Sequence, residues 1–244
     1  MSAYTALAMW YDALTPDVPY GEFCALYARI FSEIGQVKSV LDLACGTGTI
    51  TGLLAAKGYE MIASDASADM LSKAQEKLYG SDFTHMPLLL CQSMEELDLY
   101  GTVDAAVCAL DAVNYVEFTS LREAFRRLHL FIRPKGVFIF DILSPDRLRA
   151  LDGDVGIDET DDVFCVWRMS CEDERVTYSF DLFESRGDLW SRESEEHTEY
   201  IHEPDALLKL LLASGFASAE IIPDAPMRDA GRIFIKAVNG EQNG

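Results

Sequence analysis

Leu41-Asp42-Leu43-Ala44-Cys45-Gly46-Thr47-Gly48-Thr49-Ile50-Thr51 is the stretch on which the reading of this chain turns. It continues a short apolar run, 39–43, that ends in an acidic residue and a glycine turn, as a buried parallel strand does. A helix is expected next over 49–57, with Gly58 where a C-terminal cap belongs. Glycines at a strand–helix junction let a ligand approach the backbone, and the new helix offers N–H groups without intrahelical partners. A second acidic residue, Asp65, ends the following strand, where a carboxylate can accept hydrogen bonds from ribose hydroxyls. A nucleotide-type ligand at the carboxyl ends of the strands is the expectation.

The dinucleotide fingerprint fits this stretch less well. Its third glycine would fall at Thr51, with Gly52 one place late. The Asp42 carboxylate would also repel a pyrophosphate, whereas it could pair with the ammonium of a methionine moiety. Both details favour a positively charged, phosphate-free cofactor.

Outward from this motif the pattern repeats. A strand is expected at 60–64, a helix from about 67 to 78 opened by Ser67 as N-cap, and a shorter strand near 86–91. A strand at 103–109, a helix near 119–132 and a strand at 136–142 follow, the last after a Pro134-Lys135-Gly136 turn. Strands alternating with helices imply a mostly parallel sheet covered on both faces. From about 145 to 203 the rhythm changes. Segments 162–170, 174–185 and 188–201 alternate polar and apolar residues between polar turns, as an antiparallel meander with one wet face does. A helix at 204–214, with Pro204 near its first turn and Gly215 as cap, restores the α/β rhythm. Strands at 217–222 and 232–238 read as an antiparallel hairpin at the sheet edge, and the tail 239–244 as disordered.

At this point the chain resembles the class I, Rossmann-like, S-adenosylmethionine-dependent methyltransferases of small-molecule type. LDLACGTGTIT (41–51) is similar to their first motif, SDASADML (64–71) to their second-strand motif, CQSMEEL (91–97) to the third-strand segment and DAAVCALDAVNYV (104–116) to the fourth. The turn at 132–136 and the ending YIHEPDALLKLLLASGF (200–216) also look like the family. The resemblance implies a seven-stranded, mostly parallel sheet in a core of residues 1–144 and 204–244 with an N-terminal helical cap. The antiparallel insertion after the fifth strand, 145–203, would be a substrate lid. It implies that Asp42, Ala44, Gly46 and Gly48 hold the methionine part of S-adenosylmethionine, and that Asp65 binds both ribose hydroxyls. Ala66 and Met70 would pack on the adenine, Ser93 and Met94 would flank its amino edge, and Leu110 and Asp111 would lie beneath the sulfonium. Trp10-Tyr11-Asp12 and Tyr20 are similar to the part of the family whose N-terminal helix folds over the cofactor.

Several of these residues have plainer readings. Gly46 and Gly48 could serve a tight turn, Asp65 could cap the helix at 67–78, and Asp111 with Asn114 could form a loop turn. Met70, Tyr11 and Tyr20 could be ordinary packing. Methyl transfer needs a held geometry more than a dedicated nucleophile, and S-adenosylhomocysteine would be the product. A general base is needed only if the acceptor arrives protonated, and Tyr11, Asp111, Tyr115 and His197 are the candidates. His197 and His202 lie in an exposed-looking strand pattern that favours structural roles. A nicotinamide-dependent oxidoreductase, an aminopropyl transferase, or a cofactor-binding protein without turnover could use the same fold.

Bulk properties narrow the field. The 244 residues suffice for one α/β domain carrying an insertion, and 49% apolar content is ordinary for a packed protein. No apolar run approaches the ~20 residues of a membrane span, and MSAYTALAMWYDAL lacks a basic n-region, so a cytoplasmic location is expected. The six cysteines form no C-x-x-C pair and no cluster with histidines, so no metal is expected and the thiols read as reduced. Twenty basic against 41 acidic residues give a net charge of −21, which argues against nucleic acid and anionic membranes as partners. Between Leu151 and Asp205, 18 Asp or Glu against four Arg leave a net of −14. The plainer reading is a solvated sheet face; the sharper one is a negative field drawing in a cationic small-molecule acceptor such as an amine. Monomer and homodimer both remain open.

Overall fold

The structure is a computed structural model that describes residues 7–240. The first residues of the N-terminal stretch and the end of the tail, read above from sequence, lie outside the described residues. Two sheets organise the chain. The larger has seven strands in the order β10-β11-β5-β4-β1-β2-β3. Its parallel part comprises β1 (Ser39–Leu43), β2 (Glu60–Asp65), β3 (Leu88–Cys91), β4 (Val103–Cys108) and β5 (Ile132–Leu143). Strand β11 (Arg232–Asn239) runs antiparallel to β5 and to the edge strand β10 (Phe216–Ile221), so the expected hairpin is present, with its second strand inside the sheet.

Each face of this sheet is covered because its strands are apolar on both sides. Helices α2 (Tyr20–Ile34) and α3 (Thr49–Ala56) bury Phe23, Tyr27, Phe31, Ile50 and Leu54 against Val40, Val107 and Ile139. On the opposite face α5 (Phe118–Phe131) and α7 (Pro204–Ala213) bury Leu121, Phe125, Leu128, Leu207 and Leu211 against Leu41, Phe138 and Phe140. Helix α4 (Ala68–Leu78) starts as read, with the Ser67 hydroxyl accepting from Met70 N at 3.3 Å. None of the helices is long and apolar enough to cross a membrane among the described residues.

The Pro134-Lys135-Gly136 turn does not delay β5 as expected. The strand begins at Ile132 and absorbs the turn as an irregularity, with Lys135 at φ +64° and a register shift against β4. Gly136 is fixed there sterically, since a Cβ would stand 2.5 Å from the Asp104 carbonyl oxygen.

The region after β5 opens with a short helix, α6 (Pro145–Arg149), then forms a four-stranded antiparallel meander: β6 (Val155–Glu159), β7 (Val163–Glu172), β8 (Arg175–Arg186) and β9 (Leu189–Tyr200). Three of these strands match the alternating segments. Strand β6 and helix α6 were not expected, because five residues carry too little pattern to separate from loop. One end of the meander packs Met169, Val176 and Ile201 on Leu148 and Leu151. The other packs Val163, Cys165 and Leu182 on α1 (Leu7–Leu14), through Leu7, Trp10, Tyr11 and Leu14. Asn114 fastens the meander to the core, its Nδ2 donating to Tyr200 O at 2.9 Å while its Oδ1 accepts from Leu143 N at 3.2 Å.

Gly48 shows how close the packing is beside the first motif. It has φ +77°, and a Cβ would stand 3.0 Å from Ala74 Cβ on α4. Gly48→Ala should therefore lower stability by about 1–3 kcal/mol through a forced left-handed alanine and a displaced helix, measured by urea unfolding.

Candidate active site

A cavity of about 440 Å³ opens where β1, β2, β3 and β4 end. Ala44, Cys45 and Gly46 after β1, Asp65 to Ser67 after β2, Gln92 to Glu95 after β3 and Ala109, Leu110, Ala112, Tyr115 and Val116 after β4 contribute wall, with Tyr11 and Tyr20 closing it from the N-terminal helices. Parallel strands put all these turns at one edge, which is why the site falls there. Of the residues singled out in the sequence, Tyr11, Tyr20, Asp42, Ala44, Gly46, Asp65, Ala66, Met70, Ser93, Met94 and Leu110 line the cavity. Gly48 and Asp111 do not: Gly48 meets α4, and the Asp111 carboxylate faces Arg232.

Among the described residues, three carboxylates, Asp42, Asp65 and Glu95, border the cavity, and no lysine or arginine does. Asp65 Oδ2 accepts from Gly46 N at 2.8 Å and Oδ1 from Ser67 N at 2.8 Å. The carboxylate thus ties the first turn to the second and also starts α4, while each oxygen keeps further acceptor capacity. Burial pushes its carboxyl up, against those backbone bonds. Asp42 is 1% exposed, and its Oδ2 accepts from Thr51 Oγ1 at 2.5 Å. Burial pushes the Asp42 carboxyl up to about 7, with the Thr51 bond opposing and Asp65 reinforcing.

Helix α1 is latched over this edge. Thr47 Oγ1 donates to Asp12 Oδ1 at 2.7 Å, and Lys77 Nζ reaches Asp12 Oδ2 at 2.7 Å, Thr47 Oγ1 at 2.8 Å and Thr49 Oγ1 at 2.7 Å. The latch joins α1, the first motif and α4 in one network.

The turn after β4 is the strained part. Leu110 and Asp111 have φ +57° and +52°, a region that costs such residues about 1–3 kcal/mol each unless the surroundings fix it. Asp141, fully buried near the end of β5, does the fixing: its Oδ1 accepts from Leu110 N at 3.0 Å and its Oδ2 from Asp111 N at 2.9 Å. Arg232, at the start of β11, donates from Nη1 to both Asp141 Oδ2 and Asp111 Oδ1.

The candidates for proton transfer are distributed around this turn. Tyr115 is on the cavity wall. Burial, then Tyr20 and Asp111, push the Tyr11 phenol up, so it serves as a neutral hydroxyl rather than a phenolate. His197 is off the wall, its ring centroid 6.0 Å from that of Tyr115 and its Nε2 3.3 Å from Glu195 Oε1. The exposed-looking pattern around the histidines misleads: His197 and His202 are both 2% exposed, because their faces turn onto the core. His202 Nε2 stands 3.0 Å from Val116 O, and burial lowers its pKa.

Sequence reasoning missed the parts played by Thr47, Thr49, Lys77, Gln92, Glu95, Asp141 and Arg232. Thr47 and Thr49 lie within the 41–51 motif and Gln92 and Glu95 within the 91–97 segment, and Asp141 left the signal of a lone carboxylate inside the apolar run 137–143. Lys77 and Arg232 are brought in by chain crossings that no local pattern encodes.

Comparison with known proteins finds methyltransferases. The family described as Methyltransferase domain matches residues 40–136. The putative methyltransferase YqeM of Bacillus subtilis is 29% identical over 244 residues, covering 96% of each chain. The crystal structure of a S-adenosylmethionine-dependent methyltransferase from Clostridium acetobutylicum superposes with a TM-score of 0.83 at 27% identity, over 95% of this chain and 96% of that one. The sugar N-methyltransferase KedS8 from Streptoalloteichus superposes equally well, TM-score 0.83, at 19% identity over 99% and 95% of the two chains.

Asp141→Ala would leave Arg232 with Asp111 as its remaining ion-pair partner and release two amides. We expect a loss of about 3 kcal/mol or more in urea unfolding, whereas Asp12→Asn, at the exposed latch, should cost less than about 1 kcal/mol.

Proposed function

The chain carries a methyltransferase domain on the Rossmann-like fold of S-adenosylmethionine-dependent methyltransferases of small molecules, and from that premise we propose that its cavity holds S-adenosylmethionine, with the acceptor presented beneath the insertion. The observation that carries this reading is the charge of the wall: among the described residues, three carboxylates and no basic side chain, in a space of about 440 Å³. Such a wall suits a cofactor bearing an ammonium and a sulfonium and repels a pyrophosphate, and the volume lies within the ~300–1,000 Å³ of small-molecule sites.

Asp42 takes the ammonium of the methionine moiety, and Asp65 takes the ribose hydroxyls on the acceptor capacity left by its backbone bonds. Ala44 and Gly46 bring backbone against the methionine part. Met70 and Ala66 pack on the adenine, with Ser93 and Met94 at its amino edge, and Leu110 bounds the sulfonium end. The bound cofactor supplies an electrophilic methyl group; the protein orients the acceptor, excludes water and removes a proton where the acceptor carries one. Helix α1, with Tyr11 facing the cavity and Asp12 latched, restricts water access. The meander, 145–203, is the acceptor-side lid, and its net charge of −14 between Leu151 and Asp205 favours a cationic acceptor. A cytoplasmic setting fits the six free cysteines.

Calorimetric titration with S-adenosylmethionine, S-adenosylhomocysteine and NAD tests the cofactor. The two sulfur compounds should bind and NAD should not, and Asp65→Ala should weaken binding by tenfold or more. Binding of NAD alone would overturn the reading.

The pH dependence follows from Asp42. Its carboxyl, pushed up to about 7, keeps its proton in the folded protein through a window where the unfolded chain, with an ordinary value near 3.8, has lost it. The folded state binds more protons there, so the stability from this group is complete below its unfolded value and fades as pH rises through about 7. An ammonium ligand prefers the ionised form. Cofactor affinity should therefore fall by up to roughly tenfold per pH unit below about pH 7, and Asp42→Asn should flatten that slope while weakening binding at neutral pH.

A further inference from the structure

The cavity wall divides by chemistry. Its carboxylates, Asp42, Asp65 and Glu95, lie in or just after β1, β2 and β3. The other end is built by α1, α2 and the turn after β4, and there the wall carries Tyr11, Tyr20 and Tyr115 beside Leu110, Ala112 and Val116. Among the described residues no other aromatic side chain lines the cavity. The inner face of the meander braces this end from behind. Tyr11 and Phe180, of β8, pack against the same apolar cluster, Val163, Cys165 and Leu182. The Phe180 ring lies 5.0 Å from that of His197, and the His197 ring 6.0 Å from that of Tyr115. Tyr20 stands near enough to Tyr11 to act on its phenol. Thr15 ties the two together, its side chain hydrogen-bonded to the Tyr20 hydroxyl and its Oγ1 donating to Tyr11 O at 2.7 Å.

The proton acceptors of this neighbourhood face elsewhere or stay neutral. Asp111 is turned to Arg232, and His197 stands behind Tyr115, off the wall. Burial pushes the phenols of Tyr11 and Tyr20 up, so neither is a phenolate at neutral pH. An alcohol acceptor needs a base to take its proton as the new bond forms, and this end supplies none. A carboxylate, phosphate or thiolate would meet no cation, since no lysine or arginine borders the cavity among the described residues. An amine in its free-base form needs neither, because its lone pair is available without further proton transfer. What the lining does offer is aromatic rings, whose faces attract a positive charge, most strongly where water is excluded.

We propose that Tyr11, Tyr20 and Tyr115 form the acceptor site of this enzyme, an aromatic enclosure that receives an aliphatic amine as its free base and stabilises the positive charge its nitrogen gains with the methyl group. The proposal rests on the methyltransferase reading and adds the acceptor class and the side chains that select it. The ammonium ion present in solution gives its proton to water on leaving bulk solvent, because this end of the cavity holds no counter-ion for it. The nitrogen lone pair then forms the new N–C bond while the S–C bond breaks with its electron pair left on sulfur. One positive charge thereby passes from sulfur to nitrogen. Rings placed around the nitrogen favour the transition state over the bound free base, which carries no charge to attract them. The methylated product leaves as its cation. In this site the tyrosines act through their rings and not as bases.

The test uses the complex of the full chain with S-adenosylhomocysteine and a panel of aliphatic trimethylammonium ions, choline among them, each paired with its neutral tert-butyl isostere. Calorimetry reports binding; transfer of a labelled methyl group from S-adenosylmethionine to the parent amines reports turnover. At least one cation should bind tenfold or more tighter than its isostere, and its parent amine should accept the methyl group. Tyr115→Leu should remove that preference and at least tenfold of the turnover while S-adenosylhomocysteine affinity stays within threefold. Tyr115→Phe, which keeps the ring, should restore most of both. At saturating S-adenosylmethionine, the rise of kcat/KM with pH should follow the pKa of each amine, as it must when the free base reacts without a protein base. Equal binding of cations and isosteres, no cation binding at all, a Tyr115→Phe variant as impaired as Tyr115→Leu, or a rise at one fixed pH for amines of different pKa would overturn the proposal. The cation–isostere comparison and the pH profiles of the unaltered chain decide the matter even if the variants fail to fold. Absence of S-adenosylhomocysteine binding to the unaltered chain would instead sink the cofactor reading beneath it.

Discussion

The buried pair between Asp141 and Arg232 is the interaction on which the site depends. Arg232 opens β11, Asp141 lies near the end of β5, and the carboxylate receives the amides of Leu110 and Asp111 in the turn after β4. Three separate strands are thereby locked at the edge where the cavity opens. A buried ion pair contributes little net stability over an apolar replacement, because desolvation offsets the Coulomb gain. Its effect here is geometric. Without a fully engaged acceptor behind it, a leucine and an aspartate in consecutive left-handed conformations would relax, and the cavity wall at Leu110 would move with them.

The carboxylates at the edge fall into groups by what surrounds them. Asp65 is held by backbone amides, Asp42 by a threonine hydroxyl at the mouth of α3, and Asp141 by a guanidinium with two amides. Glu199, on the meander, is buried beside Tyr178 and Asp111 and off the cavity wall. An acidic wall around a cationic cofactor and, as proposed, a cationic acceptor also gives a physical reason for concentrating negative charge in the meander above it. The same charge serves as an ordinary solvated surface on the outer face, where Asp181 is bonded by Arg168, Arg192 and Ser194.

Much of this was legible in the chain. The strand–glycine–helix motif at 41–51, the carboxylate at Asp65 and the alternation of strands with helices are local patterns, and the structure has strands and helices where those patterns put them. The meander was legible as three strands because ten to twelve residues of alternation exceed noise; the five residues of β6 do not. His197 and His202 show the limit of reading burial from pattern. Their neighbours in β9 and beyond are polar, so the segment looks exposed, yet the inward face of the strand is filled with ionisable groups that the core buries.

What the sequence by itself determined is the fold class, the edge of the sheet where a ligand belongs, and the residues of the glycine turn and the second-strand carboxylate. Those follow from hydrophobic period and turn chemistry, which act over a few residues. Tertiary structure alone decided that Gly48 serves helix packing, that Asp111 faces Arg232 across 121 residues, and that Glu199 comes down from the meander onto the same cluster. The reason is physical: a buried charge is specified by the partners that surround it in space, and those partners come from crossings of the chain that leave no period in the sequence.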